Sequence, residues 1–195
     1  MVASQASPTA GGVTLLVGVA TRKGVWIGAD SGSVAGEFSR SVPEPKVWKA
    51  GEWIVACAGS WRALELMKYT VKLPRAPKLV SDLHRVICID VVDEIRKAFS
   101  ARGVADAVEL DSEDGAAWLA LIGVRTPSGG CALYYLEAEH AERVSEYAVG
   151  LGDEFAMGVL SCTRQTPPAL RLRNAFNRTR AHYGALRSPF RVEAL

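Results

Sequence analysis

Residues 13–30 read VTLLVGVATRKGVWIGAD, and no other stretch constrains the fold as much. Two runs rich in Val, Leu, Ile and Trp flank Arg22-Lys23-Gly24, a group with the composition of a tight turn. The stretch is therefore expected to be two short β-strands folded back on each other. Thr14 opens the first strand and Asp30 closes the second. Each has an ordinary explanation, since threonine suits a strand and aspartate often leaves one through a turn. The alternative is that the hairpin holds the two opposite each other for chemistry.

At 195 residues, with 49% hydrophobic and 23% charged residues, the chain suits one globular domain. A net charge of +2 gives no argument for a nucleic-acid or membrane partner. Cys57, Cys88, Cys131 and Cys162 form no paired motif and sit in apolar runs, so they are expected as core filler in a reducing, cytoplasmic setting. His84, His140 and His182 share no ligand spacing, so neither a metal site nor a cofactor is expected. The opening MVASQASPTAGG lacks the features of a secretory signal. Residues 1–13 are expected to be a flexible segment or a propeptide, and residues 14–195 the single domain.

Further along, SGSVAGEFSRSVPEPK is expected to be a long irregular loop, with strands at 46–49 and 53–57 after it. Trp61, Leu64, Met67 and Val71 recur at helical spacing behind Ser60, a good N-cap. A longer helix is expected over 82–102, ended by Gly103. An acidic loop at 109–114 leads to strands at 117–125 and 131–137. YAVGLGDEF reads as strand, glycine turn, and a helix from Asp153. Pro167 and Pro168 open a last helix, and 189–192 a last strand. Strands mostly neighbour strands through short turns, so the expected class is α+β: a four-layer α/β/β/α sandwich of two mostly antiparallel sheets.

Three polar residues stand where the apolar pattern pauses: Thr14, Asp30 and Lys46. The hairpin would bring Thr14 near Asp30, and the loop between would return Lys46 to both. Each residue alone has a structural explanation, and it is the spacing of the set, with its sequence context, that weighs against that explanation.

On these residues the chain resembles the β-type subunits of proteasomes and the HslV-type peptidase subunit, which are N-terminal nucleophile (Ntn) hydrolases. TLLVG is similar to the family's first strand, GVWIGAD to its second, PKVWK to its third, and CAGSWRA to its glycine turn into a helix. YAVGLGDEFAMGVL resembles a later glycine turn and helix. The likeness runs from Val13 to Val192 and looks closest to short phage- or bacterium-encoded members.

The resemblance implies the Ntn hydrolase fold and a threonine endopeptidase. Thr14 would be the nucleophile, freed by removal of residues 1–13, with its new α-amine as the base. Such an amine has a pKa of about 7.7 to 8.0, suited to that task. Lys46 and Asp30 would complete the catalytic set, and Gly59 would donate to the oxyanion. Substrate would lie extended against Ser33 and Val34, with Trp48, Cys57 and Trp61 lining the first specificity pocket. The implied partners are peptide or unfolded protein, a homo-oligomeric ring and an ATP-dependent unfoldase.

The chain departs from the family pattern at named positions. Val13 stands where glycine usually precedes the nucleophile. Leu151 replaces a common serine, and the region of Tyr183 and Leu186 carries no carboxylate. These departures suit a second reading, a catalytically degenerate subunit with a structural or assembly role. A third reading, nucleic-acid binding, rests on Arg171, Arg173, Arg178, Arg180, Arg187 and Arg191. Those arginines are expected instead on a solvated face or paired with the acidic loop.

Overall fold

The computed structural model describes residues 14–35, 38–104, 118–137 and 140–195, and the expected acidic loop at 109–114 and segment 1–13 lie outside them. The opening hairpin is β1 (Leu15–Thr21) and β2 (Gly24–Ala29), paired so that Leu16 faces Ala29 and Thr21 faces Gly24. The turn falls at Arg22-Lys23, as the sequence predicts.

The described residues of SGSVAGEFSRSVPEPK are more ordered than expected. Among them, β3 (Gly32–Ala35) and β4 (Phe38–Ser41) form a small antiparallel pair. Two glycines and two prolines mask strands this short, because turn-forming residues dominate any window placed over them.

Next come β5 (Val47–Ala50) and β6 (Trp53–Gly59), which extends two residues beyond expectation. Then α1 (Trp61–Tyr69) starts behind Ser60, whose hydroxyl accepts the Ala63 N–H at 3.1 Å. The expected long helix is composite: a 3-10 turn (Val80–Asp82), α2 (Leu83–Arg85), a π-helical stretch (Val86–Val91) and α3 (Val92–Ser100). Val86 and Ile87 are buried, as are Val91 and Val92 five residues on, and the wider π turn lets both pairs face the core.

Strands β7 (Trp118–Arg125) and β8 (Cys131–Glu137) follow the prediction. The sequence reading missed β9 (His140–Val144), a polar edge strand without an apolar alternation. β10 (Glu146–Gly150) leads into α4 (Asp153–Cys162), and α5 (Pro168–His182) takes Pro168 at its first position. The last strand, β11 (Arg191–Ala194), lies two residues later than expected.

The pairings are antiparallel, in sheets ordered β10-β1-β2-β11 and β5-β6-β7-β8-β9. The fold is thus mixed α+β. Alternation along β1 divides its side chains: Leu15, Val17 and Val19 pack with Ala156, Leu172 and Phe176 of α4 and α5. Leu16 instead joins Ile27, Val47, Ile54 and Leu121 in a core drawn from both sheets. A third core joins Val55, Ile122 and Tyr134 to Met67 of α1 and Ile95 of α3.

Two composition-based expectations are corrected. Only Cys57 among the cysteines is buried; Cys88 and Cys131 are half-buried and Cys162 is exposed. Arg171 is not on a solvated face: it is buried, with its guanidinium 2.5 Å from the Glu146 carboxylate and 2.8 Å from the Leu160 carbonyl. No helix among the described residues is long and apolar enough to cross a membrane.

Candidate active site

Thr14, Asp30 and Lys46 each sit one residue outside a regular strand: before β1, after β2 and before β5. The strand ends aim all three at one point, and all three are buried. Lys46 Nζ donates to Thr14 Oγ1 at 2.6 Å and to Asp30 Oδ1 at 3.1 Å. The ammonium therefore bridges hydroxyl and carboxylate.

Backbone donors fix the carboxylate. Leu15 N–H reaches Oδ1 at 3.2 Å, and Gly32 N–H reaches Oδ2 at 2.6 Å. The Arg187 N–H approaches Oδ2 at 3.5 Å, and Ser31 N–H donates to the Arg187 carbonyl at 2.9 Å. So the chain near residue 187, which offers no side-chain acid, still contributes its backbone to the turn that carries Asp30.

Burial pushes the Lys46 ammonium below the ordinary lysine range, and the charge and hydrogen bond of Asp30 work against that shift. A buried ammonium bonded to a hydroxyl lowers the cost of removing the hydroxyl proton, because it stabilises the oxygen's developing charge. The arrangement suits activation of Thr14 as a nucleophile.

Thr14 is fixed from its backbone as well. Leu151 N–H donates to the Thr14 carbonyl at 2.9 Å. That contact requires Gly150, at φ +106°, since a Cβ there would lie 1.9 Å from the Thr14 oxygen. Leu151 thus acts through its backbone N–H, since its side chain offers no polar group. The glycines of GLG were the sequence signal for this close approach.

The remaining predicted residues take the following places in the fold. Gly59 ends β6 at φ +126°, one residue before the α1 cap. Ser33 and Val34 lie in β3, which among the described residues pairs only with β4. Trp61 Nε1 donates to Ser33 Oγ at 3.0 Å and joins the start of α1 to β3. Trp48 is half-buried beside Lys68. Cys57 has no exposed surface, and its N–H donates to the Lys46 carbonyl at 3.0 Å, so it packs beneath the lysine. Burial pushes its thiol up to about 12, with Lys46 pulling the other way.

The sequence matches no family model and no curated protein. Among solved structures, it is similar to Thiobacillus denitrificans BPH in complex with epoxomicin, at TM-score 0.71 and 16% identity over 93% of this chain and 97% of that one. A second structure of Thiobacillus denitrificans BPH gives TM-score 0.69 and 19% identity over the same shares. Identity this low speaks to architecture alone: this chain has the same fold as BPH.

Proposed function

We propose that the protein is a proteasome-like threonine endopeptidase in which loss of residues 1–13 frees the Thr14 amine. In this reading the α+β architecture is the four-layer α/β/β/α sandwich of the Ntn hydrolases. One observation carries it: Lys46 Nζ lies 2.6 Å from the Thr14 hydroxyl and 3.1 Å from Asp30.

The freed amine takes the hydroxyl proton as Thr14 Oγ1 attacks the substrate carbonyl. Lys46 stabilises the negative charge growing on Oγ1, and Asp30 holds Lys46 in place. Gly59 N–H is assigned to the oxyanion, a role that typically contributes about 2.7–4 kcal/mol. The protonated amine then gives its proton to the leaving nitrogen, so the peptide bond breaks and an ester to Thr14 remains. Water attacks the ester, again assisted by the amine, and frees the acid product. The edge of β3 suits an extended substrate pairing beside Ser33 and Val34. A homo-oligomeric ring and an unfoldase partner belong to the same proposal.

A second reading, a catalytically degenerate subunit, is favoured by Leu151, which brings no hydroxyl to the Thr14 amine. Two measurements decide between them. Mass spectrometry of the purified protein is expected to show a species beginning at Thr14. An epoxyketone peptide such as epoxomicin has a ketone for a hydroxyl and an epoxide for an amine, so it is expected to modify Thr14 alone. Thr14→Ala abolishes the label, and Lys46→Ala lowers peptide hydrolysis at least ~10²-fold. Full-length chain only, with no label, overturns the peptidase reading in favour of the second.

A further inference from the structure

Lys46 and Trp48 lie two residues apart where β5 begins, so they share one face of the chain. Val47 between them points into the core drawn from both sheets, whereas Trp48 packs on the helix side. Glu44 lies two residues before Lys46. Helix α1 brings Lys68 over this face: its Nζ sits 5.9 Å from the centre of the Trp48 ring and pairs with the Glu44 carboxylate. The Tyr69 hydroxyl donates to the same carboxylate at 2.8 Å. Arg191 donates to the Pro43 carbonyl at 3.2 Å and adds positive potential at Glu44. The Lys68 hydrogen bond, followed by that of Tyr69, holds the Glu44 carboxyl below its usual range.

We infer that the Glu44–Lys68 pair sets which substrate side chain is accepted next to the cleaved bond, by closing two opposite charges on each other and leaving the Trp48 indole to select an apolar residue. The inference rests on the peptidase reading above and names the substrate class of that same site. The residue whose carbonyl meets Thr14 places its side chain within about one residue length, roughly 3.5 Å, of the nucleophile. The surface continuing from Lys46 along β5 is Trp48, with Lys68 and Glu44 across it.

A partly exposed ion pair of this kind adds little to stability. It has a stronger effect on discrimination, because an unmatched charge beside a substrate pocket attracts its opposite and repels its like. Lys68 thereby keeps basic side chains from finding Glu44, and Glu44 keeps acidic ones from finding Lys68.

Three peptides differing only in Leu, Arg or Glu before the cleaved bond test this. The native protein is expected to prefer Leu. Lys68→Met is expected to raise kcat/KM for the Arg peptide relative to the Leu peptide by about tenfold, and Glu44→Gln to do the same for the Glu peptide. The double variant returns to Leu. An unchanged ranking in both single variants, with hydrolysis intact, overturns the inference and leaves the peptidase reading standing. If no peptide is hydrolysed at all, the peptidase reading falls and the inference falls with it.

Discussion

The carbonyl oxygen of Thr14 occupies the space in which a side chain on Gly150 would begin, 1.9 Å from its ideal Cβ. Gly150→Ala therefore meets both a backbone clash and a φ of +106°, a region where an L-residue is strained by about 1–3 kcal/mol. The contact between Leu151 N–H and the Thr14 carbonyl has to lengthen, and Thr14 moves relative to Lys46. Misplacement of a reacting group by about 1 Å can cost ~10²-fold in rate. Gly150→Ala is expected to lose at least that much peptide hydrolysis while remaining folded by circular dichroism. Full activity would show that Thr14 is not positioned from this turn.

Asp30 presents two oxygens to the donors on Leu15, Gly32 and Lys46. In Asp30→Asn the amide NH2 faces donors, and the buried ammonium loses its counter-charge. Removing one partner of a buried pair typically costs about 3–5 kcal/mol. Urea unfolding is expected to show a loss of that order, and Asp30→Asn with Lys46→Met to recover part of it, because the stranded charge is then gone. Equal losses in the single and double variants would mean that the backbone donors, not the lysine, account for the cost.

The cluster of Thr14, Asp30 and Lys46 was legible in the sequence because strand boundaries are local. Thr14, Asp30 and Lys46 interrupt apolar runs, and the hairpin turn at Arg22-Lys23 sets the register that brings two of them together. Contacts made by backbone atoms were not legible. The donors from Leu15, Gly32 and Arg187 carry no side-chain signature, and only the glycines of GLG hinted at the close approach to Thr14. Pattern reading also failed where tertiary context overrides it. The paired strands β3 and β4 hide among glycines and prolines, and β9 is a polar edge. The burial of Arg171 depends on Glu146, far away in sequence, so a basic C-terminal stretch alone could not reveal it.

Glu146 predicts how acid acts on the fold. Burial alone would raise its carboxyl, but hydrogen bonds from Arg171 and Arg164 outweigh that, and the net shift is downward. A carboxylate with a lowered folded pKa contributes stability that is complete above its unfolded value, near 4.5, and is lost as the pH falls through the folded one. Glu146→Gln is therefore expected to be less stable than the native protein at neutral pH, with the gap closing as the pH drops below about 4.5. Thermal melts across that range measure it. A gap that stays constant down to low pH would assign the loss to packing, with no contribution from the charge pair.

Cys57 offers a readout of the same site from beneath. It has no exposed surface, and burial raises its thiol to about 12, whereas Cys162 is exposed on α4. The thiolate is the reactive form, so Cys57 is protected twice, by access and by protonation. With a thiol reagent near pH 8, Cys162 is expected to react first and Cys57 only as the protein unfolds. Because the Cys57 N–H is bonded to the Lys46 carbonyl, any motion that exposes the thiol also disturbs the segment that carries the lysine. Cys57 labelling should therefore accelerate in Asp30→Asn, where Lys46 has lost its anchor. If Cys57 reacts as fast as Cys162 in the folded protein, the packing under Lys46 is open, and the lysine is not held rigidly enough to serve Thr14.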